Sequence, residues 1–177
     1  MFYRFLFLLA LFISFDKPLS AQNKTEAVKT AFEMIETESF VPVQASFKDK
    51  YGQDVFLSSF QGKIIVLNFF KPTCRPCLIE LPGLNQLAET LKDMSVIILA
   101  VAEGEETADI VEKVFHERRL NNLSVALDQN GNLLKALGGE KVPRTLLINA
   151  EGKIIGALQG QADFTSPILL KQIKDAF

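Results

Sequence analysis

The chain has 177 residues, 48% hydrophobic and 23% charged, with 19 Lys and Arg against 21 Asp and Glu. These proportions fit one globular domain, and a net charge of −2 without a basic stripe argues against a nucleic-acid partner. Two cysteines and a single histidine, His116, leave a four-ligand zinc site short of the donors it needs.

The first residues, Met1-Phe2-Tyr3-Arg4, carry a positive charge, and residues 5–15 are almost wholly apolar. That run is too short for a comfortable membrane span. Pro18-Leu19-Ser20-Ala21 follows with a small residue before a cut, so residues 1–21 read as a secretory signal peptide cleaved after Ala21. An uncleaved anchor is the alternative. Either way the remainder is expected outside the cytosol, in the periplasm or an equivalent space. Residues 22–40 read as an N-terminal extension. Ala27, Ala31, Phe32 and Ile35 fall at helical spacing among charged residues, which predicts a short amphipathic helix.

Residues 41–177 then read as one domain. Strands over 43–47 and 55–57 flank the turn residues Tyr51-Gly52-Gln53, which predicts a hairpin. Residues 64–70, Ile-Ile-Val-Leu-Asn-Phe-Phe, predict a buried strand, and residues 78–91 a helix interrupted by Pro82. The nearly unbroken apolar run 95–102 suits a parallel strand covered on both faces. A helix is expected over 107–119, a strand over 123–127 and a short helix over 133–137, ending at Gly138-Gly139. Residues 142–149 and 154–158 flank Ala150-Glu151-Gly152-Lys153, a second hairpin signal. Thr165 or Ser166 caps a last helix with Pro167 at its first position. Strands alternating with helices give an α/β fold: a central mixed β-sheet flanked by helices, with an N-terminal β-hairpin extension.

The only two cysteines stand at Cys74-Arg75-Pro76-Cys77, between the apolar strand and the predicted helix. A C-x-x-C pair at such a turn is a thioredoxin-like redox signature. A thiolate at a helix N-terminus faces unpaired N–H groups and the positive end of the helix dipole, which favours its charged form. The second cysteine, one turn in, is placed to attack a mixed disulfide and release the product. The rival structural readings are an inert disulfide, which would close too small a loop to stabilise much, and half of a zinc site.

Residues 60–70, Phe-Gln-Gly-Lys-Ile-Ile-Val-Leu-Asn-Phe-Phe, then Cys74-Arg75-Pro76-Cys77, then Glu80-Leu81-Pro82, resemble the TlpA/ResA-like branch of the thioredoxin superfamily, a group of exported thiol–disulfide oxidoreductases. Gly52 and Leu57 fit the opening hairpin of that group, and residues 142–148 with Glu151-Gly152-Lys153 fit its proline strand and closing hairpin. The resemblance runs from about residue 41 to 177. It implies a thioredoxin-like fold, Cys74 as the exposed attacking thiol and Cys77 as the buried resolving one. It makes Pro143 a cis-proline packed against the pair, with Val142 offering backbone hydrogen bonds to a bound polypeptide. Glu80 matches an acid of this branch that tunes thiol pKa or relays protons; the rival reading is a solvated helix face. Asn68 stands where cytosolic thioredoxins carry a buried acid, so general-base help from that position is expected to be absent. Lys71 and Arg75 are cations available to a Cys74 thiolate. One departure is clear: Thr73 replaces the tryptophan this branch carries before its first cysteine, and the chain has no Trp.

The expected function is thiol–disulfide exchange on protein disulfides, run as a reductant, with a membrane-bound thiol electron donor to recharge the dithiol. By resemblance, substrates include apocytochrome c, in cytochrome c maturation, or oxidised envelope proteins. No cofactor or metal is called for, and a monomer is expected. The alternatives are a dithiol oxidase or isomerase using the same residues, and a peroxiredoxin-like peroxidase, for which Pro72-Thr73-Cys74 is too tightly spaced. A copper-delivery protein on the same fold, for which His116 lacks the context, and a non-enzymatic interaction module are the others.

Overall fold

Seven buried residues in a row make β4 (Ile64–Phe70) the centre of the molecule. Branched and aromatic side chains favour the extended pleat, and burial on both faces leaves no polar side to turn outward. The computed structural model describes residues 27–37 and 39–177. β4 pairs in parallel with β5 (Val96–Glu103) and antiparallel with β7 (Arg144–Ile148). β5 pairs in parallel with β6 (Ala126–Asp128), and β7 antiparallel with β8 (Ile154–Gln159). Two further strands, β2 (Ser46–Asp49) and β3 (Asp54–Phe56), form a hairpin against β6. With β1 (Glu33–Met34) the sheet order is β1-β8-β7-β4-β5-β6-β2-β3.

Alternate residues of β4 feed two cores. Ile64, Val66 and Phe70 face the helices α1 (Arg75–Thr90), α2 (Ala108–Glu117) and α4 (Pro167–Lys174), with Leu84, Phe115 and Leu169 packed among them. Ile65, Leu67 and Phe69 face α3 (Asn132–Ala136) and the 3₁₀ turn Leu57–Phe60. Phe70 stacks on Phe115 at 5.9 Å between centroids. The two parallel crossovers, β4–α1–β5 and β5–α2–β6, step the same way across the sheet, so sharing one hand puts α1 and α2 on the same face.

Two sequence expectations need correction. The hairpin forms, but its first strand starts three residues later than 43–47, because a turn closed by the Ala45 N–H on the Pro42 carbonyl at 2.9 Å takes up the preceding residues; the Asp49 carboxylate, accepting from the N–H groups of Tyr51 and Gln53, fixes the turn at its end. Among the described residues of 22–40 there is no helix. The chain is extended: Glu33 and Met34 pair with Ala157 and Gly156, and Lys29 and Phe40 bridge to Ala162 and Lys153. Of the four apolar residues at helical spacing only Phe32 is buried, over Gly156, where an added Cβ would come within 3.1 Å of the Phe32 Cβ. Its backbone is satisfied across the chain, N–H to Gln172 Oε1 at 2.8 Å and carbonyl from Gln172 Nε2 at 3.1 Å. The open edge of β8 supplies hydrogen bonds that a short isolated helix would have to form alone. The expected signal peptide lies outside the described residues. Among those described, no helix is long and apolar enough to cross a membrane.

Candidate active site

Cys74 is the N-cap of α1, with extended backbone (φ −86°, ψ 105°). Its Sγ accepts the N–H of Cys77 at 3.3 Å, and its carbonyl accepts from Leu78. Pro76 sits in the first turn, where its missing N–H leaves nothing unpaired. The two cysteines are joined as a disulfide, with Cα atoms 5.3 Å apart. Cys74 is half-buried at the surface; Cys77 is fully enclosed in the core. The helix runs on through Pro82. The carbonyl of Leu78, which a residue with an N–H at position 82 would have engaged, accepts instead from Arg118 Nη1 at 3.3 Å.

The Val142–Pro143 peptide bond is cis and Pro143 is buried. Arg144 pairs with Phe69 in the antiparallel ladder, so Pro143 stands beside the end of β4 from which the cysteine turn departs. The structure brings Glu80 into the same region and removes the solvated-face reading, since it is only 3% exposed. Its Oε1 accepts from Asn68 Nδ2 at 2.8 Å and its Oε2 from the Ala162 N–H at 2.7 Å. Burial pushes its carboxyl up from 4.5 to about 7, against the opposing pull of those two hydrogen bonds. Cys77 lies one helical turn before it, on the same side of α1.

The remaining candidates separate. Lys71 is engaged by Glu103 Oε2 at 2.7 Å, so its charge is shared with a carboxylate rather than free for Cys74. Arg75 and Thr73 are exposed beside Cys74. His116 is exposed on α2, in a groove with Asp49, Tyr51 and Glu112 that contains neither cysteine. No cluster of three or more metal-ligating side chains occurs among the described residues.

Several neighbours escaped sequence reading. Thr145 is buried and accepts from Asn68 Nδ2 at 3.0 Å. Asp128, at the end of β6, accepts the N–H groups of Leu133 and Leu134, which anchors α3; burial, with help from Glu103, raises its carboxyl above the ordinary range. Arg144 is part-buried, and loss of hydration lowers its pKa. The available signal was Asn68, the one polar residue in an otherwise apolar central strand. A buried amide demands partners, and those partners proved to be Glu80 and, on β7, Thr145.

Comparison with known proteins gives consistent results. Residues 30–173 match the redoxin family. The thiol-disulfide oxidoreductase ResA of Bacillus thuringiensis subsp. konkukian is 34% identical over 113 residues, 64% of each chain. The matched region therefore spans less than two thirds of that relative's length. Among solved structures, a candidate thiol:disulfide interchange protein DsbE from Chlorobium tepidum aligns over 80% of this chain and 98% of its own, with 25% identity and a TM-score of 0.69. The thioredoxin domain of a thiol-disulfide oxidoreductase from Bacteroides vulgatus aligns over 81% and 99%, with 24% identity and a TM-score of 0.65. The fold is thioredoxin-like.

Proposed function

The chain belongs to the redoxin family, and on that footing we propose that it is a thiol–disulfide oxidoreductase of the ResA type, acting on protein disulfides outside the cytosol. The observation that carries the reading is the asymmetry of the pair: Cys74 half-open at a helix N-terminus, Cys77 closed in the core one turn on. In the reduced protein the Cys74 thiolate attacks a partner's disulfide and expels one partner thiolate. Cys77, giving its proton to the Glu80 carboxylate, then attacks Cys74 Sγ; the bond to the partner's second sulfur breaks and the partner leaves reduced. Glu80 is suited to the proton's arrival because burial holds its carboxyl near neutrality. The exposed Arg75 favours the Cys74 thiolate; Lys71, held by Glu103, contributes less. Val142, ahead of the buried Pro143, offers its backbone to the incoming polypeptide.

The reductant direction, a membrane-bound thiol donor and a place in cytochrome c maturation or envelope redox maintenance complete the proposal. They are what the resemblance read from the sequence implies; the similarity to ResA supports thiol–disulfide exchange itself. Two measurements test it. Cys74 should be alkylated by iodoacetamide much faster than Cys77 in the reduced protein; the reverse order would exchange their roles. The reduction potential decides direction: a value of about −270 mV, as in thioredoxin, fits a reductant, whereas one of about −120 mV makes the protein an oxidant.

A further inference from the structure

Three buried polar side chains from three elements meet behind the cysteines. They are Asn68 of β4, Glu80 of α1 and Thr145 of β7, which are 0%, 3% and 1% exposed. Asn68 Nδ2 donates to Glu80 Oε1 at 2.8 Å and to Thr145 Oγ1 at 3.0 Å, while Asn68 Oδ1 is buried with no partner. Both groups that hydrogen-bond Glu80, the Asn68 amide and the Ala162 N–H, are donors. That set suits a carboxylate. A protonated Glu80 carries an O–H that needs an acceptor, and neither partner is one. The missing acceptor is the other limb of the same Asn68 amide. Oxygen and NH2 have nearly the same shape, so a half-turn of the amide exchanges them with little repacking. Oδ1 would then accept from the Glu80 O–H and from the Thr145 hydroxyl, whose hydrogen rotates to suit.

We propose that the Asn68 amide is a two-position relay, presenting Nδ2 to Glu80 and Thr145 while Glu80 is a carboxylate and turning over to present Oδ1 to both once Glu80 holds a proton. This deepens the exchange proposed above and rests on Glu80 receiving the Cys77 proton there. As that proton arrives, the turned amide keeps the acid hydrogen-bonded in a site closed to bulk solvent. Once the proton leaves Glu80, Nδ2 swings back to the arrangement present with the disulfide formed. The relay links α1 to β7 two residues beyond Pro143, so it is a positioning device that acts through Glu80. The titratable neighbours are few. Cys77 lies one turn back on α1. Arg144 adjoins Thr145 but points to the other face by strand alternation. Asp163, beside Ala162, is engaged by the N–H and hydroxyl of Thr165.

The test uses NMR on the purified oxidised protein, in which the cysteines do not titrate. The Glu80 carboxyl carbon is assigned by its loss in Glu80→Gln, and the Asn68 amide by its loss in Asn68→Leu. Above the Glu80 midpoint the Asn68 amide protons should show proximity to Thr145 and Glu80; below it that proximity should vanish while the fold signals stay unchanged. Amide protons that keep the same neighbours throughout would overturn the relay, and so would a Glu80 that does not titrate between pH 5 and 9. In Asn68→Leu the Glu80 midpoint should rise by about one unit, because the charged form loses a charge-assisted hydrogen bond. A midpoint that falls or stays put would mean that Asn68 only keeps water out, and would also sink the proposal. Protein-disulfide reduction by the wild type is measured separately, so a failed relay is distinguishable from a failed exchange reading.

Discussion

The two ends of β4 serve different chemistry. At its C-terminal end the strand delivers Lys71 and the cysteine turn, β5 delivers Glu103, β6 delivers Asp128 and β7 begins at the Pro143–Arg144 step. Charged and nucleophilic groups from four strands collect there. At its N-terminal end the neighbours are the turn 149–152 and the segment 40–43, which border a cavity of about 270 Å³ lined largely by Phe40, Pro42, Leu57, Ile65 and Ile148. The contrast follows from the sheet. Parallel strands point their carboxyl ends one way, and loops outside those ends are where open α/β sheets place their sites. The opposite end only has to close hairpins and bury apolar side chains.

The largest effect that would break this contrast comes from the cysteines. Cys74→Ser should abolish protein-disulfide reduction, and Cys77→Ala should leave mixed disulfides visible on non-reducing gels; residual turnover by Cys74→Ser would move the nucleophile elsewhere. Glu80 gives the next effect. Its folded carboxyl titrates near 7 against 4.5 for the ordinary group, so between those values the folded state binds more protons than the unfolded one. Stability is then fully present below about 4.5 and falls as pH rises through about 7, by roughly 3 kcal/mol in all. Urea titrations of the oxidised protein at pH 4.5 and 8 should show this loss, and Glu80→Gln should remove most of it. A flat profile in the wild type would mean that Glu80 is hydrated.

What was legible in the sequence divides along similar lines. The strand 64–70, the cysteine turn and the helix behind it depend on local signals: periodicity, caps and spacing; the cis bond at Pro143 was expected from the family resemblance alone. The burial of Glu80 was not legible, because the group that closes over it is the Ala162 N–H, 82 residues away. Nor was the strand at Glu33–Met34, whose side-chain spacing suits a helix but whose backbone partners lie on β8. Lys71 showed as a cation near Cys74, yet the carboxylate that engages it arrives on the next strand.

Asp128→Ala should cost about 2 kcal/mol, since two buried N–H groups of α3 lose their acceptor; thermal unfolding measures it, and an unchanged midpoint would mean that α3 is anchored otherwise. Arg75→Met should slow Cys74 alkylation near neutral pH more than Lys71→Met, because Lys71 already shares its charge with Glu103. Equal slowing would return Lys71 to the thiolate's surroundings. The smallest effect is expected at the distal end, where the 79%-exposed Val43 should tolerate Ser within about 0.5 kcal/mol and with unaltered turnover.

The strap at the start of the described chain bears on where the protein can be cut. Lys29 donates its N–H to Gln161 and accepts the N–H of Asp163, clamping the two residues that flank Ala162. Ser166 holds the carbonyl of Thr30 from the other side. The backbone amide that reaches Glu80 is thus aligned by a segment lying before the first hairpin. A shortened protein starting at residue 41 would keep both cysteines and the whole of β4, yet it would free the loop that aims Ala162 and bare the seat of Phe32. Such a trimmed protein would be a sound disulfide carrier with a mistuned acid, and its pH response would differ from that of the longer chain.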